Sequence, residues 1–188
     1  MQFQKTALAS GMKSLLQQLE TRLALSKGLD VYLAGGMAVN LYTATRVTSD
    51  IDAEFGARIL IPNDLIETVT LEDGSEQLIY FDTNYNPAFA LMHEDYQHDA
   101  ILVEFGLKYI KFRVLTPVDL AVSKIARFAD NDREDIQALV RLGLTSADEI
   151  ERRATQALSG HVGGQQPMLI CNIRDAVALA RTIEATKS

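Results

Sequence analysis

Two aspartates separated by one residue, Asp50 and Asp52, are the pair in this chain best suited to bind a metal ion. Alternate residues of a β-strand share a face, so the string SDIDAEF places both carboxylates on one side of a strand. Two such carboxylates repel each other unless a cation lies between them. Ligands that offer only oxygen favour Mg²⁺ or Mn²⁺ over Zn²⁺. The pair therefore predicts a metal site.

A glycine pair, Gly35-Gly36, precedes these aspartates and closes the apolar run DVYLA. A helix that begins at glycines offers backbone N–H groups to phosphate oxygens, and glycine lets a ligand approach the backbone closely. Taken singly, the glycines could form an ordinary tight turn and the aspartates an exposed strand face. Their combination favours a site for a phosphate and a metal.

A second charged cluster lies in the string PVDLAVSKIARFADNDREDI. We expect a helix over 117–129 with Lys124 and Arg127 on one face, and Asp132 and Asp135 on one face of the next helix. A lysine facing a carboxylate–metal cluster would neutralise phosphate charge and stabilise the charge that shifts in phosphoryl transfer. The alternative is a solvated helix face with ordinary ion pairs.

A third metal-binding carboxylate is less clearly marked. Glu104 is the first candidate because we expect it within the apolar strand AILVEFG. Burying a charged side chain there costs free energy unless the charge is paired or binds a metal. An outward-facing side chain on a half-exposed strand is the alternative, and Asp99 and Glu54 are rival candidates. Arg46 has two interpretations: bidentate binding of a phosphate, or an ion pair with Asp50.

The elements that must position these residues follow from periodicity and turn signals. In the first half we expect helix 8–25, strand 30–34, helix 37–43, strand 49–55, helix 64–69, and strands at 70–71 and 78–81 around Asp73-Gly74. A short helix after Pro87 and two strands within 100–115 follow. From Pro117 onward we expect helices only, including one that starts at TSADE and a last one over 168–186.

The fold class predicted from this order is α+β, with a mixed sheet and flanking helices. We expect an α/β core over residues 1–115 and a helical region over 116–188 that packs on it.

The net charge of −7 and the pI near 4.9 argue against a protein whose main task is to coat nucleic acid. Cys171 is the only cysteine, so no intramolecular disulfide forms, and we expect it to be buried. His93, His98 and His161 are too scattered for a histidine metal site. With neither a signal peptide nor a membrane-length apolar run, we expect a cytoplasmic protein.

Two strings together resemble the nucleotidyltransferase superfamily. The first is LAGGMAVNLY followed by RVTSDID, which resembles the signature of the DNA polymerase beta fold: a Gly-Gly or Gly-Ser turn before an Asp-x-Asp pair. The second is VLTPVDLAVSKIARFADNDREDIQAL. It resembles the region after that core in minimal nucleotidyltransferases related to the AbiEii toxins of type IV toxin–antitoxin systems. The usual serine after the first glycine is Gly36 here, which removes one phosphate-binding hydroxyl.

The resemblance implies a mixed sheet in which Asp50 and Asp52 hold one or two Mg²⁺ ions on a nucleoside triphosphate. Gly35 and Gly36 would contact the phosphates. Lys124 and Asp132 would match the later basic and acidic motifs of the family.

Two main functions stay open from the sequence, and a third, a metal-binding hydrolase, is disfavoured because the histidines form no cluster. The first is an Mg²⁺-dependent transferase that moves an NMP unit from an NTP to an RNA end or a protein hydroxyl, as part of a toxin–antitoxin pair. The second is a nucleotidyltransferase fold with weak or no turnover that acts through a partner protein.

Overall fold

The computed structural model describes residues 3–161 and 165–187. In chain order these form α1 (Ala7–Arg22), β1 (Leu29–Leu33), α2 (Gly35–Thr43), β2 (Asp50–Ile51), β3 (Ala53–Phe55), β4 (Ile66–Thr70), β5 (Glu76–Phe81), a 3₁₀ turn (Pro87–Phe89), α3 (Tyr96–Asp99), β6 (Ile101–Leu102), β7 (Ile110–Val114), α4 (Pro117–Ser123), α5 (Asp130–Arg141), α6 (Ala147–Gly160) and α7 (Gln166–Ala185). The α+β class is confirmed. Within these residues, no helix has the length and apolar character needed to cross a membrane.

The chain divides into two compact units. The first unit comprises Met1–Tyr85 and Ala100–Leu115, and it contains all the strands of the described residues. The second unit comprises Asn86–Asp99 and Thr116–Ser188, and its regular elements are helical.

The first unit contains two mixed sheets. One has the strand order β3-β1-β7-β6, in which β1 runs parallel to β7 and antiparallel to β3. The other has the order β2-β5-β4, in which β2 runs parallel to β5 while β4 and β5 form an antiparallel hairpin. The Asp73-Gly74 hairpin turn is confirmed, with Gly74 in the left-handed region at φ +82°.

Helix α1 packs its apolar face into the first unit. Thr6 caps its N-terminus by accepting the N–H of Ala9, and Leu8, Met12 and Leu15 are buried at helical spacing. Near its C-terminus, the carboxylate of Glu20 accepts the backbone N–H groups of Lys108, Tyr109 and Ile110 at 3.1, 2.5 and 2.9 Å. One side chain of α1 thus fixes the start of β7.

The predicted single strand 49–55 is wrong, because it is broken into β2 and β3. These two strands belong to different sheets, and Asp52 lies between them. The alternation survives the break: Ile51 and Ala53 are buried, whereas Asp50 is exposed and Asp52 half-buried. The chain changes partners here because β2 pairs with β5 while β3 pairs with β1.

The predicted helix 64–69 is also wrong, since this segment lies mostly in β4. Leu65 and Val69 are four residues apart and both buried, which imitates a helical pattern. The β-branched residues around them favour a strand, and pairing with β5 across the hairpin satisfies their backbone groups.

Glu104 does not lie in a strand, so the premise for choosing it is wrong. Strand β6 ends at Leu102, and although Val103 still donates to Phe112, the N–H of Phe105 turns back to the carbonyl of Val103. Gly106 then adopts φ +71° and the chain leaves the sheet. Glu104 is exposed.

The second unit confirms α6, which starts at a Ser146–Glu149 capping box, and the long last helix α7. The helix predicted over 117–129 is too long, because α4 ends at Ser123. The backbone tightens there to i→i−3 hydrogen bonds, and Phe128 adopts φ +50°. Lys124 and Arg127 therefore lie in a turn and not on a helix face.

The expectation that Cys171 is buried is wrong, because its side chain is exposed. On α7 the buried residues include Leu169 and Ile173. Position 171 falls between them on the outer surface of the helix.

Candidate active site

The turn between β1 and α2 is built around Gly35, whose φ of +63° favours glycine. Ala34 occupies the N-cap and forms no side-chain cap with the helix. The first N–H groups of α2 must therefore find acceptors outside the helix. A helix N-terminus of this kind favours anionic oxygens because of its backbone dipoles.

Asp52 places its carboxylate against this turn. Its backbone carbonyl accepts the N–H of Ala34 at 2.8 Å, which ties the two segments together. A Cβ added to Gly35 would lie 1.7 Å from Oδ2 of Asp52 and 2.6 Å from its Cγ. The carboxylate thus occupies the space that any side chain at residue 35 would need.

Asp50 is exposed and meets the neighbouring strand. The β2–β5 register places it opposite Tyr80, whose hydroxyl interacts with its carboxylate. That interaction and the negative charge of Asp50 raise the pKa of Tyr80 above its usual value. The aspartates of the pair therefore have different neighbours: the glycine turn for Asp52 and β5 for Asp50.

Asp82 is a residue of this site that the sequence reasoning missed. The last paired residues of β2 and β5 are Ile51 and Phe81, and the N–H of Asp82 donates to the carbonyl of Ile51 at 3.1 Å. Asp82 therefore follows the end of β5 as Asp52 follows the end of β2. In the sequence, its only signal was an acid at the end of the apolar string LIYFD. Its importance depends on the pairing of β5 with β2, which a local pattern does not show.

Arg46 lies beside the second glycine. A Cβ on Gly36 would come 3.3 Å from Nε of Arg46 and 3.3 Å from Cβ of Thr48. Asn40 on α2 donates to the backbone carbonyl of Arg46 at 2.8 Å, and Asn40 accepts in turn from Thr6 at 2.7 Å. These bonds fix the loop that carries the guanidinium to the start of α2.

The other candidates for a third carboxylate have different surroundings. Glu54 is half-buried on β3 opposite Tyr32. Asp99 belongs to the second unit, where it accepts a hydrogen bond from Arg153 at 2.7 Å. Across residues 3–161 and 165–187, no three His, Cys, Asp or Glu side chains are grouped closely enough to hold a metal ion.

Within the second unit, Lys124 and Arg127 converge on two buried acids. Nζ of Lys124 lies 2.8 Å from Asp135 and 3.7 Å from Asp132. Arg127 donates to both oxygens of Asp132, from Nε at 2.7 Å and from a terminal nitrogen at 2.8 Å. The two aspartate side chains are 2 % exposed, whereas Arg127 is 71 % exposed. The four charges sum to zero.

The ionisation of Asp132 reflects this environment. Burial acts to raise its pKa, but the hydrogen bonds from Arg127, the charge of Lys124 and the N–H of Ala129 outweigh burial. The pKa of Asp132 therefore lies below its usual value. The paired charges that were expected on a helix face are instead brought together by a turn and the start of α5.

A glycine turn at a helix N-terminus that contacts an Asp-x-Asp pair, within a mixed α+β fold, is consistent with a nucleotidyltransferase-like fold. The chain belongs to the family described as nucleotidyltransferase of unknown function, DUF6036, whose profile matches residues 11–165. That range includes both the glycine–aspartate site and the Lys124 cluster. No curated protein and no solved structure matches the chain.

Proposed function

We propose that this protein is an Mg²⁺-dependent nucleotidyltransferase that transfers an NMP unit from an NTP to an RNA end or a protein hydroxyl. The observation that carries the proposal is the contact between Asp52 and the Gly35 turn. It places a carboxylate next to a helix N-terminus, and metal-bound triphosphates need both kinds of group.

Asp50 and Asp52 are the proposed ligands of Mg²⁺ or Mn²⁺. Their carboxylates offer only oxygen ligands, which suits these ions. The Gly35 turn packs against the carboxylate of Asp52 and holds it in a fixed position. When bound, the metal would supply positive charge to the phosphates and to the leaving pyrophosphate. Asp82, which follows β5 as Asp52 follows β2, joins Glu104 as a proposed third carboxylate.

The phosphates are proposed to bind at the start of α2. Gly35 and Gly36 expose backbone N–H groups there, and Arg46 lies 3.3 Å from the position of a Cβ at Gly36. In the reaction, an acceptor oxygen forms a bond to the α-phosphorus while the bond from that phosphorus to the bridging oxygen breaks. Pyrophosphate leaves with that oxygen, and a neighbouring carboxylate takes the acceptor proton.

In the second unit, Lys124 and Arg127 are proposed as nucleotide-binding residues. Arg127 is the more exposed of the two cations, and Asp132 holds the guanidinium by two hydrogen bonds. Lys124 is more deeply buried than Arg127 and forms an ion pair with Asp135. We therefore propose that Asp135 positions Lys124. The string around this cluster is also the basis for proposing an AbiEii-like branch and a cognate toxin–antitoxin partner.

The second candidate function is a regulatory protein with weak or no turnover. Two observations favour it: the charges of the Lys124 cluster already cancel, and the described residues contain no group of three acids arranged to hold a metal. Such a protein would act through a bound partner protein.

Transfer assays distinguish the two functions. The protein is incubated with each labelled NTP, Mg²⁺, and either pooled tRNA or cell lysate, and the labelled product is identified. We expect a metal-dependent label that Asp52→Asn abolishes and that Glu72→Gln, at an exposed residue of the hairpin turn, retains. Absence of transfer with all four NTPs, together with no NTP binding by calorimetry, would exclude the enzyme. Co-purification with a partner would then support the regulatory function.

A further inference from the structure

A cavity of about 340 Å³ lies in the first unit at the end of β5, the strand that pairs with β2. Its walls come from the segment before β4 and the end of β5, and they include Pro62, Ile66, Tyr80 and Asp82. Tyr80 connects the cavity to the proposed metal-binding pair, because it lines the cavity and is paired across the sheet with Asp50. A group held in this cavity would therefore lie next to the proposed reaction centre.

We infer that this cavity binds the terminal nucleobase of the acceptor, so that the acceptor is the hydroxyl end of a nucleic-acid strand. The inference rests on the proposed nucleotidyl transfer and names its acceptor. An RNA end and a DNA end share this chemistry, since both present a base and a terminal hydroxyl.

The position of the cavity favours the acceptor over the donor nucleotide. The attacking and leaving oxygens lie roughly in line on opposite sides of the phosphorus. Phosphates bound at the glycine turn would occupy the side of the pair that Asp52 faces. The side that Asp50 shares with Tyr80 is left for the attacking hydroxyl.

The lining of the cavity favours a base over an aromatic side chain of a protein acceptor. Pro62, Ile66 and the Tyr80 ring offer apolar surface to a planar group. Asn63 and Asn84 also line the cavity, and within the described part of the chain neither side-chain amide has a hydrogen-bond partner. A base edge can replace water at both amides, whereas a phenyl ring cannot.

The acidity of the chain limits how such a strand is bound. With a net charge of −7, wide contact with a phosphate backbone is unfavourable. Recognition should be confined to the terminal nucleotides. We expect log K for a single-stranded oligonucleotide to change with log salt by a slope no steeper than about −1.4, the value for two neutralised phosphates.

Kinetics with separate variation of the two substrates test the inference. The variants are Asn63→Ala/Asn84→Ala, Ile66→Trp to fill the cavity, and Asn131→Ala as a control on the exposed surface of α5. The acceptors are short homopolymeric RNA and DNA oligonucleotides, whose binding is also measured without NTP by fluorescence anisotropy. The cavity variants should raise the KM for the oligonucleotide on the order of tenfold and leave the KM for NTP unchanged. Asn131→Ala should change neither KM.

Three results would overturn the inference. If the NTP KM rises instead, the cavity holds the donor base. If the label appears only on protein and no oligonucleotide binds, the acceptor is a protein. In both cases wild-type protein still binds NTP, so the proposed function survives. If wild-type protein binds no NTP, that function fails and the acceptor site fails with it.

Discussion

The carboxylate of Asp52 and the Cα of Gly35 are in such close contact that no side chain fits between them. Two constraints therefore require glycine at residue 35: its positive φ and the position of this carboxylate. The contact links the residue proposed to bind metal to the turn proposed to bind phosphate. A change at either residue should disturb both functions of the site.

The first prediction is that Gly35→Ala abolishes NTP binding. The left-handed conformation costs an alanine about 1–2 kcal/mol, and its Cβ would displace Asp52. Gly74→Ala is the matched control, because Gly74 also has positive φ but has nothing within 4 Å of an added Cβ. Both variants should lose stability in urea, Gly35→Ala the more because of the contact with Asp52, while only Gly35→Ala loses NTP affinity by calorimetry. Equal NTP affinity in the two variants would show that the contact has no role in binding.

The second prediction concerns acid stability and Glu20. Partial burial acts to raise its pKa, but the N–H groups of Tyr109, Ile110 and Lys108 outweigh burial and hold the pKa below its usual value. Because the pKa of Glu20 is lower in the folded than in the unfolded protein, its ionised carboxylate stabilises the fold at any pH above the unfolded pKa. This stabilisation is lost as the pH falls through the folded pKa. Glu20→Gln should therefore lower the free energy of unfolding at pH 7, on the order of 1 kcal/mol.

Urea unfolding at neutral and acidic pH measures this effect. The difference between wild type and Glu20→Gln should shrink once the pH falls below the ordinary glutamate value, near 4.3. Glu76→Gln, at an exposed residue, should show no such trend. A difference that is independent of pH would mean that shape rather than charge at Glu20 fixes the start of β7.

The third prediction is that Gly11→Ala destabilises the protein although it lies within a helix. Helix propensity alone would make alanine better by about 1 kcal/mol. However, the new Cβ would lie 2.3 Å from Cγ1 of Val69 and 2.8 Å from Cδ1 of Ile79. The stiff Val69 side chain cannot move aside easily, and overpacking typically costs about 1–3 kcal/mol.

Gly160→Ala provides the comparison, since it is also helical but has nothing within 4 Å. Thermal unfolding should show a lower Tm for Gly11→Ala and an unchanged or higher Tm for Gly160→Ala. A higher Tm for both would mean that α1 can shift away from β4 at little cost.

What the sequence could predict depends on the range of the interactions concerned. Helix α1, strand β1 and the glycine start of α2 follow from local periodicity and from residues that restrict the backbone, so they were predictable. The break at Asp52 was not, because it is decided by two distant partner strands. For the same reason the position of Asp82, which follows β5 as Asp52 follows β2, depends on the parallel β2–β5 pairing, which no local pattern encodes.

The end of α4 illustrates another limit. The apolar pattern of AVSKIARFA continues past Ser123, so periodicity predicted a longer helix. The positive φ of Phe128 and the buried ion pairs of Lys124 are tertiary effects that end it earlier. The residue types indicated the right cluster, but its geometry came from packing.

The fourth prediction concerns the buried Lys124. Its removal in Lys124→Met would leave Asp132 and Asp135 buried with Arg127 as the one remaining cation of the cluster, which typically costs about 3–5 kcal/mol. In Lys124→Met/Asp135→Asn, the loss of one charge of each sign leaves the Arg127–Asp132 pair balanced. The double variant should therefore be more stable to urea than Lys124→Met alone, with a coupling energy within about 0.5–3 kcal/mol. Lys27→Met, at an exposed lysine, should be neutral. If the two changes were additive, Lys124 and Asp135 would be energetically independent, and the positioning role of Asp135 would have to be abandoned.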